Sequence, residues 1–328
     1  MRSRQPLLRS GLLLLLLLLI PFFVRSTYAL QTLSLALQMA IYSFSWMLLA
    51  YSGQVSLGHA FFMGVGAYGS TLLALQLLPP LPSLLIGPLF SALFGLAVGY
   101  LGARLREWFL GMYTFGLSVI AQTLALSDQL SWLTNGAQGL FPPSLLPSAL
   151  DYSTSVWFYY LLSASMACAC YALVQLLLRS GLGLILSSIH DNERAASSLG
   201  INVRKYRVLM FGLSGYLAGL AGALGRFTFI RYLDPGIFSL ENSVWPLLFS
   251  VMGGMRYAEG PLLGALLLYP VSDFLRDAVG GFLALVFFGG ILAAVIITSP
   301  QGLYALLLRE ISGMRAEKGG KLGAAGGR

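Results

Sequence analysis

The sequence predicts an all-α integral membrane protein with about ten transmembrane helices, some of them candidates for a break, and with the N- and C-termini both inside the cell. Three observations carry this. Of 328 residues, 57% are hydrophobic and only 10% are charged, against roughly 25% charged in a typical soluble domain. Apolar runs long enough to cross a hydrocarbon core of about 30 Å recur along the whole chain. The Lys and Arg residues gather in alternate connections, which is the usual mark of cytoplasmic loops.

Taken in order, the expected spans begin with Leu7–Val24, behind Arg2, Arg4 and Arg9. The same pattern fits a cleaved secretory signal with a small-x-small site at Thr27-Tyr28-Ala29; its removal would leave one span fewer and a less regular polarity. Leu30–Ala50, Gly58–Leu78, Leu84–Ala103, Trp108–Ser127, Val156–Leu178 and Val208–Thr228 come next, then Leu240–Gly253, Gly260–Phe274 and Phe282–Ile297. The Leu240 and Gly260 segments are short and fit half-helices or a broken pair as well as full spans. The stretch Gly53–Gly69, rich in Gly and Ser, invites a break too. With the N-terminus inside, only Arg25, Arg226, Arg231 and Arg276 among the cations assigned to a side fall at outer positions. The membrane domain is 1–308, with an inner loop at 179–207 and an outer loop from Asp128 to Ser155. Residues 309–328 form a basic, Gly-rich cytoplasmic tail expected to be disordered.

Several functions are disfavoured. Cys168 and Cys170 sit in an apolar run without other metal-ligating residues and read as packing residues. No HExxH, paired carboxylates within the spans or Ser/His/Asp grouping is present, so no catalytic residue, metal or cofactor is assigned. No Walker-type phosphate loop occurs; if ATP drives this protein, another chain binds it. "GVGAYG" (Gly64–Gly69) fits G-x-G-x-x-G, but its flanks are membrane-apolar and Pro79–Pro82 interrupts the downstream region, so close helix approach is the better reading. The net charge of +8 is a topology signal rather than a sign of nucleic-acid binding. Asp128, Glu241, Asp273 and Asp277 fall near span ends, where an ion-coupled carrier would want ionisable groups at mid-membrane.

Three stretches stand out. "YSGQVSLGHAFF" places Gln54, Ser56 and His59 in or beside the membrane, as candidates for a water-filled translocation path or as a loop end with satisfied hydrogen bonds. "GLSGYLAGLAGALG" sets Gly215, Gly219 and Ala223 on one helix face, where small residues let backbones touch. "HDNERAASSLG" (His190–Gly200) is strongly polar. Ser188 and Asp191 have capping-box spacing, Asp191 and Glu193 favour a helix start, and Gly200 is a natural stop. About two turns of cytoplasmic helix are expected, offering Ala195, Ala196 and Leu199 as a small apolar patch for a groove on another protein. The alternative is a solvated connecting helix.

From about Leu30 to Leu308 the chain resembles the LivM-type permeases of bacterial branched-chain amino-acid ABC importers. "YSGQVSLGHAFFMGVGAY", "RLREWFLGMYTFGLSVIAQTLAL", "LTNGAQGL", "SIHDNERAASSLGINVRKYRVLMFGLSGYLAGLAGALG", "GGMRYAEGPLLGA" and "SPQGL" stand in that family's order. The resemblance implies a multi-pass, non-enzymatic subunit of the bacterial inner membrane. It implies as partners a LivH-type second permease, two cytoplasmic ATPases, a periplasmic substrate-binding protein and membrane lipid. It carries over Glu193, Ala195, Ala196 and Gly200 as ATPase-coupling positions, and Asp191 and Leu199, from the reading of the same stretch, join them as coupling candidates. Two departures stand out: His190-Asp191 replaces the family's usual Arg-Glu, and Arg256-Tyr257 replaces small residues. Cargo alternatives are urea, short amides or a sugar. A stand-alone channel and an ion-coupled carrier are the rival classes.

Overall fold

A backbone surrounded by lipid must satisfy its own N–H and C=O groups, and a helix does so within one segment. The computed structural model describes residues 11, 16–24, 26–105, 107–147, 150–298 and 302–306, and among these the regular structure is helical apart from an antiparallel bridge between Leu140 and Leu233. The expected first span lies partly outside the described residues. Its described part, 16–23, is helical, and the Leu17 carbonyl accepts the Tyr160 hydroxyl at 2.7 Å. The tail 309–328 lies wholly outside them.

Helix α1 is Thr27–Tyr51, capped by Ser26, and it contains the small-x-small site in its first turn. An irregular segment leads to α2 (Ala60–Gln76). Helices α3 (Pro80–Ile86) and α4 (Pro88–Gly102) run end to end through Gly87, which keeps helical dihedrals. Then come α5 (Glu107–Leu126), α6 (Tyr152–Arg179), α7 (Gly181–Asp191) and α8 (Glu193–Ser198). Helix α9 (Val203–Gly225) continues into a π-helical turn, Arg226–Ile230. Helices α10 (Leu240–Gly253), α11 (Glu259–Val279) and α12 (Gly281–Thr298) follow, and short helical turns lie at Ser131–Thr134, between α5 and α6, and at 303–306.

Among the described residues five segments are long and apolar enough to cross a membrane: α1, α3 with α4, α5, α6, and α9 with its π turn. Helices α2 and α10, at 17 and 14 residues, fall short of the ~20 residues a full crossing needs. The chain is a multi-pass membrane protein. Near the predicted breaks, α2 starts only at Ala60, and α10 and α11 are separate helices. Helix α11 runs past the expected Phe274 to Val279.

Helix α1 is the centre, buried over most of its length and packed by α6, α9, α10 and α11. Glycines set the distances between helices. A β-carbon on Gly66 of α2 would come within 2.2 Å of the Gly219 Cα on α9, and one on Gly215 within 2.5 Å of the Ser91 carbonyl on α4. Ala223 is fully buried on the same helix. Such contacts replace the hydrophobic drive that lipid cannot supply. The G-x-G-x-x-G run is packing too: Gly64 backs onto the Phe238 ring, Gly66 onto Gly219 and Gly69 onto Phe90. Polar side chains add cross-links. Gln38 Nε2 donates to Ser163 Oγ at 3.0 Å and Thr228 Oγ1 at 3.1 Å, joining α1, α6 and the π turn.

Candidate coupling site

The polar stretch folds as two helices rather than one. Helix α7 runs through Ser188 to Asp191, and Ser188 Oγ donates back to the Ile185 carbonyl at 2.7 Å, so Ser188 is not a cap. Asn192 breaks the helix in extended conformation, and its Oδ1 accepts the Ala195 N–H at 3.1 Å, opening α8. Asp191 therefore ends one helix, and Glu193 alone supplies the acidic first turn of the next. Asn202 caps α9 in the same way, accepting the Lys205 N–H at 3.0 Å. Gly200 closes α8 at φ +84, with the Ile201 N–H returning to the Ala196 carbonyl at 3.2 Å. A left-handed residue after a helix is the position that favours glycine.

The expected apolar patch needs correcting. Ala196 is 2% exposed and packs with Ile189 and Val203 in a small cluster completed by Ile185, Ile201 and Tyr206. It faces the interior of the hairpin, because a six-residue helix between two others must bury one face to be held at all. Ala195 is exposed and Leu199 is 82% exposed; these two, four residues apart, form the outward apolar pair.

Glu193 is engaged within the chain. Arg207, in the first turns of α9, donates Nη1 and Nη2 to the two carboxylate oxygens, each at 3.0 Å. The Arg207 side chain is 10% exposed and that of Glu193 53%. This bidentate geometry is the strong form of the Arg–carboxylate pair, and it ties α8 to α9. Sequence reasoning missed Arg207: it is one of several cations in "INVRKYR", and nothing in that string marks which one meets a carboxylate 14 positions earlier.

The hairpin also rests on the irregular segment after α1. Gly53, at φ +73, sits under His190, so that a β-carbon there would be 3.5 Å from the His190 Cα. Gln54, Ser56 and His59 are brought together here and enclosed, being 1%, 0% and 0% exposed. Gln54 Oε1 accepts the Ser52 hydroxyl at 3.1 Å. The Ser56 carbonyl accepts Trp46 Nε1 at 2.9 Å, and His59 Nε2 meets Ser45 Oγ at 2.7 Å. The Thr114 hydroxyl accepts the Leu57 and Gly58 N–H groups, and Ser243 Oγ accepts the Ala60 N–H at 3.0 Å. Irregular backbone inside a membrane protein is tolerated where neighbouring elements satisfy it in this way. Gln54 reaches a cavity. That space of about 650 Å³ is lined by Gly53, Gln54, Arg104, Trp108, Glu193 and Arg207, among others. It separates the hairpin from the α4–α5 turn.

A helical bundle of this composition, with an amphipathic hairpin resting on the segment after its central helix, defines a multi-pass membrane protein. The family described as branched-chain amino acid transport system / permease component matches residues 28–297, and the chain belongs to it. That is a family of transport permeases rather than enzymes. The high-affinity branched-chain amino acid transport system permease protein LivM of Escherichia coli (strain K12) is 28% identical over 279 residues, which cover 77% of this chain and 64% of the relative. The chain thus spans less than two thirds of that protein's length. A probable LivM of Methanocaldococcus jannaschii is 22% identical over 237 residues, 67% of this chain and 68% of the relative. A probable LivH from the same organism is 30% identical over 128 residues, 37% and 38% of the two chains. No solved structure matches the chain.

Proposed function

We propose that the chain is a transmembrane subunit of an ATP-driven importer in the bacterial inner membrane. It receives a branched-chain amino acid from a periplasmic binding protein. Its partners are a second, LivH-type permease and two cytoplasmic ATPases, which hydrolyse the ATP. The observation that carries this reading is the braced hairpin: α8 is fastened to α9 through Glu193 and Arg207 and overlies Gly53 through His190, while Ala195 and Leu199 remain outward. A push on that outward pair is delivered to α9 and to the end of α1. A passive channel or an ion-coupled carrier has no use for such a lever. The distribution of cations along the sequence supports a cytoplasmic hairpin, about ten spans in the membrane and a basic tail on the same side as the hairpin.

The test is uptake of labelled leucine into proteoliposomes holding the assembled complex with its binding protein. ATP-dependent accumulation is expected, and equal uptake without ATP would overturn the reading. Ala195→Arg should reduce ATPase co-purification and uptake while changing the stability of the chain by no more than ~0.5 kcal/mol, since the side chain is on the surface. Unimpaired co-purification would remove the docking role of this face.

A further inference from the structure

A second cavity, of about 380 Å³, lies at the opposite end of α9, between the π turn Arg226–Ile230, the start of α10 and the last turns of α11. Its size falls at the low end of the range for small-molecule sites. Its lining is unusual for a chain with 10% charged residues, because it carries both signs: Arg226 and Arg276 with Asp234, Glu241 and Asp273. Met39, Ile230 and Trp245 give the same space an apolar wall.

These charges pair only in part. Glu241 and Arg276 form a pair at 3.5 Å with both side chains about half exposed, a weak contact. Arg226 is partly buried and donates Nη1 to the Tyr232 carbonyl at 3.0 Å; among the described residues no carboxylate oxygen pairs with it. Asp234 lies within electrostatic reach of Arg226 but not in a salt bridge with it, and its Oδ2 accepts the Gly236 N–H at 3.0 Å. Asp273 Oδ2 receives the Tyr28 and Thr32 hydroxyls at 3.3 and 3.4 Å, and its Oδ1 has no partner among the described residues. A guanidinium and a carboxylate thus line one small cavity without pairing to each other. Partly buried charges in that state favour a ligand that supplies the complementary ones.

The geometry points to a head-group site for a free aliphatic α-amino acid in this permease subunit itself, with Arg226 receiving the carboxylate, Asp273 the ammonium, and Met39, Ile230 and Trp245 the side chain. The site rests on the importer reading and adds selectivity to it: a neutral amide or a sugar would leave both protein charges unanswered. A π-helical turn at Arg226 fits this role, since such turns concentrate at functional positions.

The test is equilibrium binding of labelled L-leucine to the full complex in nanodiscs without the binding protein. The competitors are L-leucinamide, which keeps only the ammonium, and 4-methylpentanoate, which keeps only the carboxylate. Wild type should bind leucine. Asp273→Asn, which preserves an acceptor for Tyr28 and Thr32, should weaken leucine and leucinamide about tenfold or more and leave 4-methylpentanoate unchanged. Arg226→Gln should weaken leucine and 4-methylpentanoate and leave leucinamide unchanged. Parallel losses for all three ligands in Asp273→Asn would overturn the assignment, and so would no leucine binding at millimolar concentration. If uptake in the proteoliposomes is ATP-driven while binding is absent, the site falls and the importer stands. If binding shows the expected split while uptake is independent of ATP, the importer falls and the site stands.

Discussion

Arg207, in the first turns of α9, and Arg226, at the start of the π turn that follows it, are in opposite situations. Arg207 is clasped by Glu193 through two bonds of 3.0 Å, whereas Arg226 keeps a carbonyl bond at 3.0 Å and faces a cavity. The roughly 19 positions between them, at about 1.5 Å each, span roughly 28 Å, close to the ~30 Å of a hydrocarbon core. The difference teaches that residue type does not assign the task. Glu193 reaches Arg207 because Ala196, one turn further on, anchors α8 in its own small core. Asp234 makes no salt bridge with Arg226 because it caps the turn at Gly236. One arginine is a latch, and the other is left available.

The largest expected effect comes from severing the rod that joins the two ends. Gly219→Leu forces a side chain into backbone, with Gly66 Cα 3.1 Å and Pro88 Cα 3.3 Å from the first carbon alone. The cost should reach or exceed the upper end of the ~1–3 kcal/mol for overpacking, read as lost yield of folded, monodisperse protein in detergent. Normal yield would mean that α2, α4 and α9 separate easily and that the two ends are not rigidly linked. Next is the latch. Arg207→Met should loosen α8 by about 1–2 kcal/mol, discounted from a fully buried pair because Glu193 is half exposed. Hydrogen exchange across 193–200 should accelerate accordingly, with the region of Arg226 unchanged. Unaltered exchange would make the two arginines alike in kind. The smallest is Gly200→Ala, where φ +84 and open space beyond the Cα leave a purely conformational cost of about 1 kcal/mol. It should shift exchange at the hairpin without affecting the bundle.

Part of the coupling site is legible in the sequence and part is not. Gly200 as a stop and Glu193 in a first turn follow from local preferences of a few residues, and both are in place. The helix starts later than the capping-box spacing suggests because Asn192, a better cap in this setting than Ser188, leaves Asp191 to the preceding helix. The patch is half right. Counting apolar residues near His190 finds Ala195, Ala196 and Leu199, but which of them faces inward depends on where Val203 and Ile189 stand. Gln54, Ser56 and His59 stand out in the sequence as polar groups at membrane depth. Their enclosure depends on Trp46, Thr114 and Ser243 arriving from three other helices.

By itself the sequence determined that this chain lives in a membrane, that it is helical and which faces allow close approach. Those are properties of neighbouring residues: hydropathy accumulates over some twenty positions, and small residues recur at helical spacing. Only the tertiary structure decided that Glu193 meets Arg207, that Gly53 lies beneath His190, and that Arg226 and Asp273 share a cavity. Each of those pairs joins residues from different helices or from an intervening loop. Whether two charges neutralise each other or wait for a ligand turns on a few ångströms that no local pattern encodes.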